Sequence, residues 1–360
     1  MEAILRMHRA AWGPVSEEWF AWLYEDLPYT SRVPIVVAEH EGEVVGARPF
    51  LPLPVTLDGS TTTGLMLVNL VVDADHRRKG LFSRMSERTY RFAVDHDDVT
   101  FTFTYASDAA RRGLAKLEVP GTAGPVELGR FSKAHRFQRF TPFYDAVDSS
   151  MVARGVRVAE PVARTCLGIL DGRQRRRLRD VDVDVVVDHS VPAARLARLA
   201  DDHYVTGTVG PERDEAFYRW RFAAPHATFT TYFAVVGDRP IGAMVTARRK
   251  TADDRRLEVS EVVVADCESP ETVLSVLLDA VLNDNDDLTQ LTVATDDLPR
   301  SLLERCGFVV DTSFPFSRVT ERPTFMVRLT DGDDSLDEAE HAQLRSSARW
   351  RHSYTVRSLG

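Results

Sequence analysis

The sequence predicts an α/β (α+β) chain of two tandem domains, each a mixed, mostly antiparallel sheet flanked by helices. Three observations carry that prediction. The 360 residues exceed the roughly 250–300 at which a single hydrophobic core stops growing. Short apolar runs bounded by turn residues alternate with stretches of helical spacing along the whole chain. The order of these segments then recurs roughly 190 residues further on, and an internal repeat outranks other fold signals.

In the first half, Trp19, Phe20, Trp22, Leu23 and Leu27 fall near helical spacing behind Ser16, a good N-cap. Ile35 to His40 and Val44 to Leu51 flank Glu41-Gly42-Glu43 as a strand, tight turn and strand. Leu65 to Val72 is a third strand, Leu81 to Val94 a helix, Thr100 to Tyr105 a strand and Asp108 to Leu117 a helix. In the second half, Tyr232 to Met244 aligns with Val36 to Arg48, pairing Ala38 with Ala234 and Gly46 with Gly242. Leu257 to Val264, Glu271 to Leu282 and Leu291 to Ala294 continue the match. The expected units are residues 1–150 and 185–330, followed by a polar C-terminal tail over 331–360, with the stretch from Asp331 to Glu340 acidic and mobile. Arg173 to Arg179 lies between the halves. Its acidic flanks, Asp171 and Asp180, favour a solvated face over a phosphate patch.

Composition narrows the function classes. With 44% apolar and 28% charged residues the chain can bury a core in each half. A net charge of −9 disfavours nucleic acid, whose binding rests on a basic surface, and favours a small-molecule partner. Cys166, Cys267 and Cys306 are widely spaced and form no C-x-x-C pair, so neither a disulfide framework nor a metal site is expected. No long apolar run opens the chain and none reaches the length of a membrane span. The expected compartment is the cytoplasm, with no membrane partner. Oligomeric state is not legible.

The sharpest local feature is Leu67-Val-Asn-Leu-Val-Val-Asp-Ala-Asp-His-Arg-Arg-Lys-Gly-Leu-Phe-Ser-Arg-Met, a strand, a loop and a helix start. Gly80 permits close backbone approach, and successive N–H groups converge with a helix N-terminus, which suits a pyrophosphate. Arg77, Arg78 and Lys79 add positive charge. This segment resembles the GCN5-related N-acetyltransferase (GNAT) superfamily, whose central motif is a strand followed by R/Q-x-x-G-x-G/A and a helix. Arg77 to Gly80 fits the first four positions, and Phe82 departs from the sixth. Leu302 to Val310, with its Gly307-Phe308 turn, resembles the family's late helix and strand. The resemblance implies acetyl-CoA as co-substrate, held by Arg77, Arg78, Lys79, Gly80, Leu81, Phe82 and Ser107, with Leu70, Val71 and Val72 pairing with its pantetheine arm. The counterpart loop in the second half, Asp266 to Glu271, is acidic and would repel a pyrophosphate, which makes that half a degenerate member.

Acetyl transfer to an amine requires a base for the ammonium and an acid for the leaving thiolate. Leu114 and Leu303 occupy the positions where GNAT enzymes commonly place a tyrosine acid. Tyr105 and Ser107, at the end of the strand that would splay from Val72, are the nearest replacement acids, with Tyr105 the first candidate. Asp73 is the first candidate base, with Asp75 and His76 beside it, and helix capping is the competing role for these residues. Trp12, Trp19, Trp22, Tyr24 and the Phe217 to Phe222 cluster read as core first and substrate wall second. His203 and His226 read as isolated polar residues. The implied activity is transfer of an acetyl group to an amine of a small-molecule or peptide acceptor. Two other readings stay open: a non-catalytic CoA-binding module, and an aminoacyl-tRNA-dependent transferase meeting RNA through Arg173 to Arg179.

Overall fold

The computed structural model describes residues 1–57, 60–96, 98–138, 150–202, 208–250, 255–314, 316–318, 320–330 and 336–357. A helix not anticipated from sequence, α1 (Glu2–Trp12), buries Ile4, Leu5, Met7 and His8 along one face. Ser16 caps α2 (Glu17–Phe20) by accepting the Trp19 N–H at 3.1 Å, and a π-helical turn, Ala21–Glu25, extends it. The first half continues through β1 (Ile35–His40), β2 (Glu43–Leu57), β3 (Ser60–Leu67), β4 (Val71–Val72), α3 (Leu81–Val94), β5 (Val99–Ala106), α4 (Asp108–Leu114), β6 (Val126–Arg130) and β7 (Lys133–Phe137). One long helix, α5 (Ser150–Leu178), then runs through the segment between the repeats.

The second half contains β8 (Asp184–Asp188), α6 (Ala193–Asp202), β9 (Gly210–Pro211), α7 (Glu215–Arg221), β10 (Ala227–Val236), β11 (Arg239–Arg249), β12 (Arg256–Val264), α8 (Pro270–Asp284), β13 (Gln290–Ala294), α9 (Arg300–Arg305), β14 (Val309–Val310) and β15 (Thr324–Leu329). The repeat seen in the sequence is a structural one. Ala38 opposes Gly46 in the first hairpin and Ala234 opposes Gly242 in the second, and each register slips at the next residue. A bulge at the same place in both hairpins is a shared backbone feature, because bulges re-aim a strand and are built into its register.

The two sheets exchange strands. In the first, the order β1-β2-β3-β5-β15-β6 places the last strand of the second half between two strands of the first. In the second, β14-β7-β13-β12-β11-β10-β8 places β7 between β14 and β13. Each half is therefore completed by a strand of the other. The seam is sealed by a near-symmetric pair: Trp22 Nε1 donates to the Trp220 carbonyl at 2.7 Å, Trp220 Nε1 returns the same bond to Trp22 at 2.7 Å, and the rings stack at 6.0 Å. One hydrophobic cluster runs through both halves, from Ile4 to Val356.

The C-terminal segment is structured over 336–357, and residues 331–335 and 358–360 lie outside the described residues. Asp337 and Glu340 form a reciprocal capping box on α10 (Glu338–Leu344). Trp350 inserts among Phe101, Phe103 and Phe325 with ring centroids 5.8, 5.7 and 4.8 Å away. The segment ends in a short turn of helix, α11 (Tyr354–Arg357). Its basic composition hides this role because its charges are matched from elsewhere. Arg351 and Arg213 both bind the fully buried Glu261, at 3.2 and 2.9 Å. Burial alone would raise the Glu261 carboxyl, but the two guanidiniums hold it below its ordinary range.

Among the described residues no helix is long and apolar enough to cross a membrane.

Candidate active site and cofactor loop

The candidate site forms where two parallel strands part. β3 and β5 pair from Thr63↔Val99 to Met66↔Phe103, and the last link is a side-chain bond from Thr104 Oγ1 to the Leu67 carbonyl at 2.8 Å. Beyond it β5 stays with β15, where Ala106 faces Thr324, while the other chain bends toward β2. There Val68, Asn69 and Leu70 oppose only Arg48 and Pro49, because the ladder resumes at Ala47↔Val71 and Gly46↔Val72. Asn69 takes a left-handed φ of 45°, which asparagine tolerates, and its amide donates to Tyr24 at 3.2 Å. The result is a wedge-shaped opening between Leu70–Val72 and Tyr105–Ser107.

The loop after β4 is set by its own backbone. Asp73 Oδ1 accepts the Asp75 N–H at 3.1 Å and lies 3.8 Å from His76 Nδ1, fixing a single 3-10 turn, Ala74–His76. His76 in turn lies 5.1 Å from the ring of His40. Arg77 turns its guanidinium back onto the Val72 carbonyl at 3.2 Å. Arg78 and Gly80 both adopt left-handed φ, 61° and 78°. The two left-handed residues bend the chain from the extended Arg77 into the start of α3, bringing the loop up to a helix N-terminus, an end suited to an anion. The first turn of α3 adds the amides of Leu81, Phe82 and Ser83, which precede the first helical bond from Arg84 N–H to the Gly80 carbonyl at 3.1 Å. No atom lies within 4 Å of where a Gly80 Cβ would sit, so the space over the loop is open.

The departure at Phe82 has a structural explanation. Its ring turns away from the loop onto α4, so close to Gly113 that a Cβ there would stand 2.6 Å from it. Ser107 caps α4, its Oγ accepting the Ala110 N–H at 3.3 Å. Leu114, where the common tyrosine acid would stand, is buried at 2% exposure.

Tyr105 projects to the opposite face from Thr104 and packs against Phe131, Phe325 and His352. Its hydroxyl meets His352 Nδ1 at 3.1 Å. Burial pushes the phenol above its ordinary range, so it stays protonated at neutral pH. His352, like Asn69 and His40, was not singled out by the sequence reading. The contact joins residues 247 positions apart, and no local pattern announces it.

The other sequence candidates fall in the core or outside the wedge. Trp22, Tyr24, Phe217, Tyr218 and Trp220 are buried, as core positions. Trp12 is 57% exposed. His226 sits 5.4 Å from the Trp22 ring, and His203 lies outside the described residues. Arg175, in the basic run of α5, meets Asp279 at 4.0 Å and also bonds Asn283.

A family model described as an acetyltransferase (GNAT) domain matches residues 1–111, the stretch that contains the wedge, the loop and α3. No curated protein sequence matches. Among solved structures the chain is similar to a GCN5-related N-acetyltransferase from Anabaena variabilis ATCC 29413, at 12% identity and TM-score 0.57, covering 91% of this chain and 68% of that one. It is similar to another from Kribbella flavida at 14% identity and TM-score 0.54, with the same coverage of 91% and 68%. A tandem GNAT protein from the clavulanic acid biosynthesis pathway matches at 11% identity and TM-score 0.51, covering 91% of this chain and 92% of that one. At such identities the similarity is one of fold. Residues 1–111 therefore match the GNAT domain model, and the chain as a whole has the fold of the tandem GNAT proteins.

Proposed function

We propose that the chain transfers an acetyl group from acetyl-CoA to an amine of a small-molecule or peptide acceptor, with the cofactor on the first half. The observation that supports this most is the loop from Arg77 to Gly80, with its two left-handed residues and the open space above Gly80 at the start of α3. In this reading Arg78, Lys79 and the amides of Gly80, Leu81 and Phe82 hold the pyrophosphate. Arg77 and Ser107 shape the site from either side, and the backbone of Leu70, Val71 and Val72 lies along the pantetheine arm. Bound there, acetyl-CoA supplies an activated thioester. Asp73 takes a proton from the acceptor ammonium, directly or through water. Tyr105, protonated at neutral pH, returns one to the leaving thiolate. The two units, residues 1–150 and 185–330, belong to the same proposal, with β7 and β15 crossing between them. So does a reducing cytoplasm, in keeping with the three free thiols.

A non-catalytic CoA-binding role is the second reading. It draws on Asp73 being engaged as a turn cap and on the Tyr105 hydroxyl being already bonded to His352. Calorimetric titration with acetyl-CoA, followed by a thiol-release assay across a panel of amines, separates the two. Binding in the natural protein, weakened by roughly a hundredfold or more in Gly80→Glu through repulsion and lost space, supports the cofactor site. Thiol release that depends on an added amine supports transfer. Indifference of the natural protein to acetyl-CoA and other acyl-CoAs overturns the reading.

A further inference from the structure

We propose that the second half carries a ligand site of its own, a cleft between α5 and the N-terminus of α8 that binds the carboxylate of a small molecule. The cleft has a volume of about 510 Å³ and is lined by Gln174 and Arg177 of α5, by Glu268, Ser269 and Thr272 at the start of α8, and by Arg305 at the end of α9. It lies at the position that the internal repeat makes equivalent to the loop before α3. Here, however, α5 roofs the groove: Leu167 and Leu170 pack onto Gly307, and Asp171 takes two 2.9 Å bonds from the buried Arg136.

Gln174 is 6% exposed, and its carboxamide has no hydrogen-bond partner among the described residues. The carboxamide is not sealed within the protein but is reached through the open cavity that Gln174 lines. α8 is fifteen residues long and begins at Pro270, which has no N–H. Its first bonds run from Thr272 and Val273 to the Ser269 carbonyl, at 3.0 and 3.3 Å. The Glu271 N–H is left without a helical partner at the positive end of the helix dipole, and Ser269, Glu271 and Thr272 all line the cleft.

The charges decide what kind of anion fits. Arg305 is engaged by Glu271 at 2.7 Å, and Ser301 bonds the same carboxylate at 3.2 Å. That pair is neutral as a unit. What remains is one cation, Arg177, which has no ion pair among the described residues, opposed by one exposed carboxylate, Glu268. A pyrophosphate, carrying at least twice the charge, would be repelled by Glu268 more strongly than a singly charged carboxylate. A single carboxylate can take a two-pronged bond from Arg177, a third from the Gln174 amide and a fourth from the helix end. This site does not depend on the acyl-transfer reading of the first half.

The test is titration of the ¹⁵N-labelled full chain with acetate, glycine and inorganic phosphate, following the Gln174 side-chain NH₂ and the Glu271 and Thr272 amides. Ligands this small are expected to bind with about millimolar affinity, well short of the ceiling per heavy atom. Saturable shifts with acetate or glycine support the site, provided that Arg177→Glu and Gln174→Leu weaken binding roughly tenfold or more and Gly80→Glu leaves it unchanged. Arg177 is exposed, so its variant folds even if the buried Gln174 variant does not. Three results overturn the proposal: no saturable shift with any probe, tighter binding of phosphate than of either carboxylate, or displacement of the probe by acetyl-CoA in Gly80→Glu.

Discussion

The loop before α3 and the loop before α8 occupy the same place in a duplicated backbone, yet they differ in almost every property that matters to an anion. The first has Arg77, Arg78 and Lys79, two left-handed residues and open space over Gly80. The second has Asp266 and Glu268, no positive-φ residue among the described ones, and a proline at the helix start. It lies beneath α5, which follows directly from the strand-exchange region. Duplication has preserved the hairpin to its bulge while the loop chemistry has diverged. The scaffold is constrained by packing, because a hairpin that slips register turns every side chain to the wrong face. A surface loop carries no such constraint, and its charges can be rewritten.

The largest effect expected from this arrangement concerns whether either half stands alone. A chain ending at residue 150 lacks β15, which fills the gap between β5 and β6. It also loses Trp220, Trp350 and the buried Glu261 cluster. The first sheet would then expose two unpaired edges and an opened core, a recipe for aggregation rather than folding. Circular dichroism and calorimetry on residues 1–150 and on 151–360 should show no cooperative unfolding for either piece, while mixing the two in refolding buffer restores one transition. A cooperative transition in an isolated half would break the claim that the halves complete each other.

The hairpins, α3 and the repeat itself were legible in the sequence because each rests on local periodicity and turn chemistry, whereas the single strand expected over Leu65 to Val72 is split into β3 and β4 by the break at Val68–Leu70. Ala38 with Ala234 and Gly46 with Gly242 could be aligned by eye, and the registers agree. The candidate loop was legible for the same reason. Strand exchange was not, since β7 and β15 look like any short strand and only their partners, some 150 to 230 residues away, distinguish them. The C-terminal segment was illegible in the same sense. Arg351 and Trp350 read as a polar tail until Glu261 and the Phe101, Phe103 and Phe325 cluster are placed around them.

Acid is expected to act on both halves at the seam and the exchanged strand. His8 packs beside Trp12 and Trp19, His226 lies against Trp22, and His135 sits on β7, bonded to Thr292 and Gln290. Burial lowers each from 6.5 to about 4. Each folded-state value lies below its unfolded one, so the unfolded chain binds more protons in this window. Stability should be full above pH 6.5 and decline as the pH falls to about 4. Urea midpoints across that range measure the decline, and His226→Gln and His135→Gln should each flatten it. A flat profile in the natural protein would show that these rings take up protons as readily in the folded chain as in the unfolded one.

A smaller and more discriminating effect distinguishes the two hairpins at their shared glycine. Gly46 and Gly242 both admit a helix closely onto β2 and β11, but the neighbour differs. A Cβ at Gly46 would stand 3.0 Å from Met85 Cε and 3.2 Å from its sulfur, the free end of a flexible chain that can swing aside. A Cβ at Gly242 would stand 2.5 Å from Val273 Cγ1, a branch whose rotamer is fixed within a helix. Overpacking a well-filled core costs about 1–3 kcal/mol. Gly242→Ala is expected near the upper end of that range and Gly46→Ala at or below the lower end, measured as shifts in urea midpoint at constant m-value. Equal costs would mean that helix α8 yields as easily as Met85, and that the second half, for all its lost loop chemistry, is packed no more tightly than the first.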